Sequence, residues 1–351
     1  MSDAAAQTVL SFYSLSPPLV RRIESLGNAG GWSGSQIWKI ELASSAVGNA
    51  LRGVPGTADS PQFLCLRRHP ESWKVPDRLR FVHNLLARVH AGGLSVVPVP
   101  LRTSSGETVL EHTGFLWELT PWMPGGADFH ARPTRARLRC ALQTLARFHL
   151  LAVTEGVPRV SFNLAPAVFV RQGTLRRIGE HAARIEAHLR PELGDELDAR
   201  ATRLLRPMRD VGVRLAPQLA PFAEQHWYQQ PVIRDIWHDH VLFTGDEVTG
   251  IVDFGAMNVD TPLTDVARLV GSLVGDDSNA RRFALDAYAE SRPLTEEDLH
   301  LVELLDASGQ VVAAVNWLTW LYVDRRDMGP PEPIIHRLDE IVRRLEWMAA
   351  R

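Results

Sequence analysis

Alternating apolar and polar residues in the first third of the chain predict β-strands. Residues 36–42 alternate regularly, and residues 62–67 repeat the pattern after a stretch (43–61) whose Gly, Ala, Ser and Pro content is typical of a loop. Residues 109–111 and 114–119 are short apolar segments separated by a turn, which predicts a hairpin. The N-terminal part of the chain is therefore predicted to be β-rich.

Further along the chain, apolar residues recur every three to four positions, the period of an amphipathic helix. Helices are predicted over 78–91, 134–152 and 173–189, and again from 263 to the end, with breaks at Pro293 and at 329–331. Residues 232–255 are an exception, since they alternate like short strands. The predicted fold class is α+β, with a small, β-rich N-terminal lobe and a larger, mainly helical C-terminal lobe.

The boundary between the two lobes is predicted at residues 120–126. This segment, Thr-Pro-Trp-Met-Pro-Gly-Gly, contains enough Pro and Gly to break both a helix and a strand. The predicted organisation is an N-terminal lobe over 1–119, a hinge over 120–126 and a helical C-terminal lobe over 127–351.

The amino-acid composition limits the classes of protein to which the chain can belong, but it does not identify a reaction. The chain has 351 residues, 45% of them hydrophobic, and a formal net charge of −3, which does not favour a nucleic-acid-binding surface. Only Cys65 and Cys140 are cysteines, so a disulfide framework is not expected. No signal-peptide pattern and no run of 18 apolar residues is present, so we expect a cytoplasmic protein without a membrane partner. The sequence leaves the oligomeric state open.

A glycine-rich segment, residues 27–35, precedes the predicted strand 36–42. Glycines allow backbone N–H groups to approach phosphate oxygens without a Cβ in the way, and a strand on the C-terminal side favours a kinase-type phosphate loop over a dinucleotide-binding turn. The candidate phosphate-contacting residues are Gly30, Gly31, Ser33, Gly34 and Ser35. The alternative is an ordinary hairpin loop.

The strand predicted over 62–67 carries a candidate phosphate-binding cation. Its alternation places Cys65 and Arg67 on one face, and Arg67 would reach nucleotide phosphates if that face lines a cleft. Arg68 would take this role in the opposite orientation. The alternative interpretation is surface charge at the end of a strand.

Two carboxylates flank a predicted hairpin. Asp235 precedes the apolar segment 241–243, and a turn leads to a partner segment, 248–252, that ends at Asp253. Because a hairpin brings its ends together, we expect the two carboxylates to face each other across a small gap. Such a pair suits a proton acceptor and a ligand for Mg²⁺.

The order of these motifs resembles the protein-kinase-like fold, and more closely the aminoglycoside phosphotransferase family, which includes choline and homoserine-type kinases. That family's catalytic loop, H-G-D-x-x-x-x-N, resembles residues 233–235 with His240, and its metal motif resembles Val-Asp-Phe-Gly at 252–255. Residues 145–149 and 264–267 resemble two further family elements, in which His149 and Asp265 are expected to be structural. The resemblance covers the chain from about residue 19 to 348 and implies a bilobal protein-kinase-like fold.

The resemblance also implies site roles. ATP or GTP would lie between the lobes under residues 30–35, with Cys65 covering the base and Arg67 reaching the phosphates. The base would contact the hinge backbone at Glu118, Leu119 and Thr120.

Asp253, together with His240, would bind Mg²⁺, with Mn²⁺ as the alternative. Asp235 would orient the acceptor hydroxyl of a small molecule and take its proton. The acceptor itself is not identified by the sequence, although Asp128 and residues 316–322 lie where the family determines substrate choice.

Three positions depart from the family pattern. Ile233 stands where the catalytic loop has His, His240 stands where a metal ligand is Asn, and Arg67 stands where the strand has Lys. The helix 78–91 contains no glutamate to pair with that cation, so Arg67 would need phosphate, or a carboxylate such as Asp253, as its counter-charge.

Two alternative functions remain open. The first is a nucleotide-binding pseudokinase with a regulatory role. The second is a metal-dependent hydrolase built on His238, Asp239 and His240, because a strand-like register would place the two histidines on one face.

Overall fold

A computed structural model of the chain describes residues 3–28, 34–43, 62–71, 73, 75–153, 161–189 and 195–351. These residues form two compact units. We call Met1–Ala152 together with His238–Ala256 the sheet unit, and Val153–Trp237 together with Met257–Arg351 the helical unit. No helix among the described residues is long and apolar enough to cross a membrane.

The secondary structure follows the predicted division into a β-rich and a helical part. In chain order, the described strands and α-helices are α1 (Asp3–Ser11), β1 (Val20–Gly27), β2 (Gln36–Leu42), β3 (Phe63–Arg68), α2 (Pro76–Ala91), β4 (Leu110–His112), β5 (Phe115–Pro121), α3 (Arg135–Ala152), β6 (Ser161–Leu164), α4 (Pro166–Arg176), α5 (Ile178–Glu186), α6 (Asp195–Ala223), β7 (His226–Val232), β8 (Val241–Thr244), β9 (Glu247–Ile251), β10 (Asn258–Asp260), α7 (Leu263–Val274), α8 (Ser278–Ala289), α9 (Glu296–Leu318) and α10 (Pro331–Ala349).

The sheet unit is built on a five-stranded antiparallel sheet with the strand order β1-β2-β3-β5-β4. The alternation in β2 buries Trp38, Ile40 and Leu42, and Trp38 stacks on Trp117 of β5 at 5.5 Å between ring centroids. Helix α1, which the sequence analysis did not predict, adds Leu10 and other apolar residues to this core. One face of the sheet is thus covered by this core.

The helical unit contains most of the remaining helices and a three-stranded sheet in the order β10-β7-β6. Its longest helix, α6, was not predicted, because three prolines inside it resemble helix breaks. Buried side chains at helical spacing nevertheless hold it in place, namely Leu204, Met208, Val211, Leu215 and Leu219. Burial of this stripe outweighs the local cost of the prolines.

Two predicted boundaries differ from the structure. The single helix over 173–189 was wrong, because Arg177 leaves helical geometry (φ −104°, ψ 19°) and separates α4 from α5. Strand β5 extends through Pro121 into the predicted hinge, because Pro121 pairs with Leu64 of β3. Most of the predicted loop 43–61 lies outside the described residues. The predicted lobes over 1–119 and 127–351, with a hinge over 120–126, stay a prediction, although the sheet unit also includes α3.

Candidate active site

Strand β3 presents Arg67 on the face of the sheet opposite to the core. Leu64 and Leu66 are fully buried, whereas Cys65 and Arg67 alternate with them and remain half-buried, as predicted. Burial raises the pKa of the Cys65 thiol to about 11, an effect that exceeds the opposing influence of Arg67, so the thiol is neutral near pH 7. The face that carries Arg67 therefore combines a neutral thiol with a fixed positive charge.

Arg67 is paired with the carboxylate that ends the hairpin of β8 and β9. Its Nη1 donates to Asp253 Oδ1 at 2.9 Å, so Asp253 supplies the counter-charge that the sequence analysis offered as one alternative. Burial alone would raise the pKa of Asp253, but Arg67 and His240 outweigh it and the pKa is lowered. The carboxylate is therefore ionised at neutral pH.

The backbone fixes the direction of the Asp253 side chain. The Val252 N–H donates to the His240 carbonyl at 3.0 Å, which closes the base of the hairpin. Asp253 itself has φ +62°, a left-handed conformation that is uncommon for a residue other than Gly. The Gly255 carbonyl accepts a hydrogen bond from Arg78 of α2 at 3.2 Å. Together these contacts hold the carboxylate toward Arg67.

A second carboxylate reaches Arg67 from the neighbouring strand. The register of β3 and β5 places Glu118 directly opposite Arg67, and Glu118 Oε1 lies 3.7 Å from Arg67 Nε. The acidic residue of α2, Asp77, binds Arg80 at 2.9 Å, and the second carboxylate near Arg67 comes from β5 instead. The sequence contained a signal for this partner, since Glu118 is an acidic residue between the apolar residues Trp117 and Leu119 of a predicted strand.

Two buried histidines hold Glu118. His83 of α2 donates from Nε2 to Glu118 Oε2 at 2.7 Å, and His69 Nε2 lies 3.2 Å from Oε1. Burial would raise the pKa of Glu118, but its contacts with His69 and His83 lower the pKa well below its ordinary value. Because the carboxylate is thus ionised and anchored, Arg67 has a fixed partner on each side.

Glu118, Leu119 and Thr120 were predicted to contact a nucleotide base through a hinge backbone, but they lie within the paired part of β5. The Leu119 carbonyl already accepts a hydrogen bond from the Leu101 N–H at 2.8 Å. These residues therefore belong to the sheet rather than to a hinge segment, because β5 continues its pairing through Pro121. Their contact with a base stays a prediction.

Strand β2 follows the glycine-rich segment, as predicted, and it pairs antiparallel with β1, which was not predicted. Gly34 has φ +76°, which a residue with a Cβ rarely adopts, and Ser35 is buried at the start of β2. Gly30, Gly31 and Ser33 lie outside the described residues.

The three residues His238, Asp239 and His240 form a short 3₁₀ turn rather than a strand. Their side chains consequently diverge. His240 Nε2 lies 3.9 Å from Asp253 Oδ2, whereas the His238 ring contacts the His130 ring at 4.3 Å between centroids. The strand-like register behind the hydrolase alternative was wrong.

The part of the chain that the structure describes also has too few metal ligands for a metal-dependent hydrolase. It contains no group of three or more His, Cys, Asp or Glu side chains arranged to hold a metal ion. A catalytic zinc or iron centre usually needs at least three protein ligands.

In the helical unit, Asp235 lies in a tight loop that follows β7. The Ile233 and Arg234 N–H groups donate to the buried Asp265 carboxylate at 2.7 and 2.6 Å, which fixes the loop backbone. Arg234 has φ +68°, so the chain turns here in a left-handed conformation. Asp265 thus has the structural role that was expected of it.

The Asp235 side chain is held by a residue that the sequence analysis missed. Arg268 Nη2 donates to Asp235 Oδ1 at 2.6 Å, and the Asp235 side chain keeps 46% of its exposure. Arg268 lies one turn after Asp265 on α7, so the helix presents both side chains on one face. This spacing was the only sequence signal that linked Arg268 to the loop.

The residues considered for substrate choice have mainly structural contacts. Asp128 accepts hydrogen bonds from Arg132 and Arg137. Trp317 and Tyr322 are buried, and the Tyr322 hydroxyl donates to Asp198 at 2.8 Å. The expectation that at least two of the aromatic residues in 316–322 belong to a helix core is confirmed.

Comparisons with known proteins agree with this geometry. Residues 56–300 match the model of the phosphotransferase enzyme family. A homoserine kinase of Janthinobacterium sp. (strain Marseille) is 27% identical over 291 residues, which cover 78% of this chain and 80% of that protein.

Two solved structures share the fold at low sequence identity. A spectinomycin phosphotransferase in complex with ADP and spectinomycin has a TM-score of 0.64 and 11% identity, and covers 99% of this chain and 98% of its own. A choline/ethanolamine kinase family protein from Mesorhizobium loti has a TM-score of 0.57 and 16% identity, with 99% and 95% coverage. These comparisons give no support to a binding-only pseudokinase. The chain therefore belongs to the phosphotransferase enzyme family, as a kinase-type enzyme with the bilobal protein-kinase-like fold.

Proposed function

We propose that this enzyme transfers the terminal phosphate of ATP or GTP to a hydroxyl group of a small molecule. The observation that carries the proposal is the Arg67–Asp253 ion pair, at 2.9 Å. It joins a cation suited to phosphate oxygens and a carboxylate suited to a divalent cation, although the family's lysine and its helical glutamate are replaced here. The ADP complex of the spectinomycin phosphotransferase supports nucleotide use.

The residues around Asp253 fit a hard divalent cation such as Mg²⁺. The Asp253 side chain keeps 39% of its exposure, and carboxylate oxygens are the ligands that Mg²⁺ prefers. The imidazole of His240 is a softer ligand, which favours Mn²⁺ as the alternative metal. A divalent cation bound here would neutralise charge on the phosphate oxygens during transfer.

Arg67 would hold the phosphate oxygens. A guanidinium has five N–H donors in a planar fork, and only one of them makes a short hydrogen bond to Asp253. Glu118 and Asp253 fix the orientation of the guanidinium, so little reorganisation is needed when phosphate binds.

Asp235 would bind the hydroxyl group of the acceptor molecule. Its exposed carboxylate can accept a hydrogen bond from a substrate hydroxyl and take the proton as the new P–O bond forms. Arg268 donates to Oδ1 of this carboxylate at 2.6 Å, which fixes the direction of the side chain. Because the homoserine kinase relative acts on a primary alcohol in an amino acid, L-homoserine is the first acceptor to test.

The experiment is a two-step screen. Thermal shift with ATP or GTP and with Mg²⁺ or Mn²⁺ identifies the nucleotide–metal pair, and nucleotide-diphosphate release is then measured with a library of primary alcohols. We expect turnover with at least one acceptor and a loss of about 10²–10⁴-fold in Asp235→Ala.

Nucleotide binding without phosphate transfer to any acceptor, with either metal, would contradict the enzyme function and favour a binding-only protein. Turnover that is unchanged in Asp235→Ala would contradict the role of Asp235 alone.

A further inference from the structure

Three arginines converge on the Asp235 loop within the helical unit. Arg171 comes from α4, Arg234 from the loop itself and Arg268 from α7, and each of the three is half-buried. Arg268 binds Asp235 at 2.6 Å, and Arg234 Nε lies 3.8 Å from Asp260 Oδ2. Arg171 donates to the Ala167 carbonyl at 3.3 Å, and the Ala167 N–H donates to the same Asp260 carboxylate. Three guanidinium groups thus lie around the loop that carries Asp235.

The neighbouring carboxylates are already engaged by backbone groups. Asp260 is fully buried and accepts hydrogen bonds from the Ala167 N–H at 3.0 Å and from the Thr261 N–H at 2.9 Å. Asp265 accepts the N–H groups of residues 233 and 234. The Asp260 carboxylate is therefore shared between backbone N–H groups and the Arg234 guanidinium.

Two donor atoms of these arginines also lack a hydrogen-bond acceptor among the described residues. The Nε atoms of Arg171 and Arg268 are buried and have no hydrogen-bond partner among the residues that the structure describes. Buried donors without acceptors are unfavourable, and in native proteins they commonly mark a site for a ligand, ion or water. Burial lowers the pKa of Arg171 to about 10; Asp260 and Asp306 oppose this effect, while Arg268 and Arg234 add to it.

The conformation of Arg234 adds an independent observation. Its φ of +68° is unfavourable for a residue with a Cβ. In the catalytic loop of the family that these motifs resemble, the corresponding residue is Gly. A guanidinium is therefore placed beside Asp235 at a conformational cost that glycine would avoid. Such strain next to a reacting group indicates a functional side chain.

We propose that Arg171, Arg234 and Arg268 form a subsite for a carboxylate carried by the acceptor molecule. The planar fork of arginine matches a carboxylate in a bidentate manner, and an incoming carboxylate would supply the missing acceptors. Asp235 would then bind the hydroxyl of the same molecule. This inference rests on the proposed function and specifies its substrate class as hydroxy acids, including hydroxy amino acids.

The test uses pairs of primary alcohols that differ only in the anionic group. L-Homoserine is compared with L-homoserinamide, and 4-hydroxybutanoate with 4-hydroxybutanamide, in the nucleotide-dependent assay and by calorimetric binding without nucleotide. We expect the carboxylate of each pair to be preferred by about 10–100-fold, the range for hydrogen bonds to charged groups.

The key variant is Arg234→Gly, because glycine suits the backbone conformation and removes only the guanidinium. We expect it to lose most of the preference for carboxylates, with the KM for the nucleotide unchanged. Arg171→Gln is the second variant, in case one of the two fails to fold. Arg176→Gln is the matched control, since Arg176 is an exposed arginine on the same helix α4 and should leave the preference intact.

The results separate this inference from the proposed function. Equal use of carboxylates and amides, or a preference that survives in both Arg234→Gly and Arg171→Gln, would overturn the subsite while phosphate transfer stands. A higher KM for the nucleotide in these variants, without a change in acceptor preference, would overturn it in favour of a phosphate site. Preferential binding of carboxylates that is lost in Arg234→Gly, but without turnover, would support the subsite and overturn the proposed function.

Discussion

Arg67 in the sheet unit and Arg171 in the helical unit are both largely enclosed arginines, yet their surroundings are opposite. Burial favours the neutral form of each, but at Arg67 the carboxylates of Asp253 and Glu118 outweigh burial and raise its pKa. At Arg171, burial and two neighbouring arginines outweigh Asp260 and Asp306, and the pKa is lowered to about 10. A guanidinium whose charge is balanced by carboxylates is held in place as part of the site. A guanidinium whose charge is only partly balanced can bind an additional anion.

The difference arises from what each carboxylate already binds. Around Arg67, Glu118 and Asp253 are anchored by histidines and by the hairpin, and they direct oxygens at the guanidinium. Around Arg171, the buried Asp260 carboxylate accepts hydrogen bonds from the backbone N–H groups of Ala167 and Thr261.

The largest effect is expected from Asp253→Ala, which removes the metal ligand and the closest partner of Arg67. We expect kcat to fall by about 10²–10³-fold and Mg²⁺-dependent nucleotide affinity to be lost, because charge on the phosphate oxygens is no longer neutralised. Steady-state kinetics and calorimetry with and without Mg²⁺ measure both. Asp239→Ala, at an exposed residue of the adjacent turn, is the control and should stay near wild type. Near-normal turnover of Asp253→Ala would refute its assignment.

Glu118→Gln should cost less activity but substantial stability. The substitution leaves the half-buried Arg67 with one carboxylate and removes the charged acceptor of His83, so we expect a loss of about 3 kcal/mol in the free energy of unfolding. Urea denaturation measures the change. Glu111→Gln, at an exposed position on β4, is the matched control, with an expected change below about 0.5 kcal/mol. Equal effects of the two substitutions would contradict the anchoring role of Glu118.

The stability contributed by Glu118 should depend on pH. Its folded pKa lies well below the ordinary value of about 4.3, so the contribution is complete above that pH and is lost as pH falls toward the folded pKa. The difference in unfolding free energy between wild type and Glu118→Gln should therefore be constant near neutrality and shrink below about pH 4. Urea titrations at a series of pH values measure it, and a difference that grows on acidification would contradict the prediction.

The smallest stability effect is expected at Arg234. Glycine relieves the left-handed strain but increases the freedom of the unfolded chain, so Arg234→Gly should change the unfolding free energy by less than about 1 kcal/mol. Arg234→Ala keeps the strain and should be less stable than the glycine variant by about 1 kcal/mol. Thermal and urea denaturation compare the two variants. If alanine is at least as stable as glycine, the strain argument fails.

Local periodicity allowed the sequence to predict much of the fold. The alternation in β2 and β3 fixed the face on which Arg67 lies, and the turn between β8 and β9 gave the hairpin that ends at Asp253. The break at Arg177 was missed because neither Pro nor Gly stands at that position, and the continuous helix α6 was missed because prolines do occur in it. In both cases tertiary packing, rather than local propensity, decided the outcome.

Residue types and their spacing by themselves determined the β-rich and helical parts, the candidate cation Arg67 and the carboxylates Asp235 and Asp253, because each depends on short-range patterns. Only the tertiary structure decided which charged side chains lie next to each other. Strand register set Glu118 opposite Arg67, and helix α7 brought Arg268 to Asp235. Such partners lie far apart in the chain, and whether a carboxylate faces a guanidinium or a backbone N–H depends on side-chain direction, which no local pattern encodes.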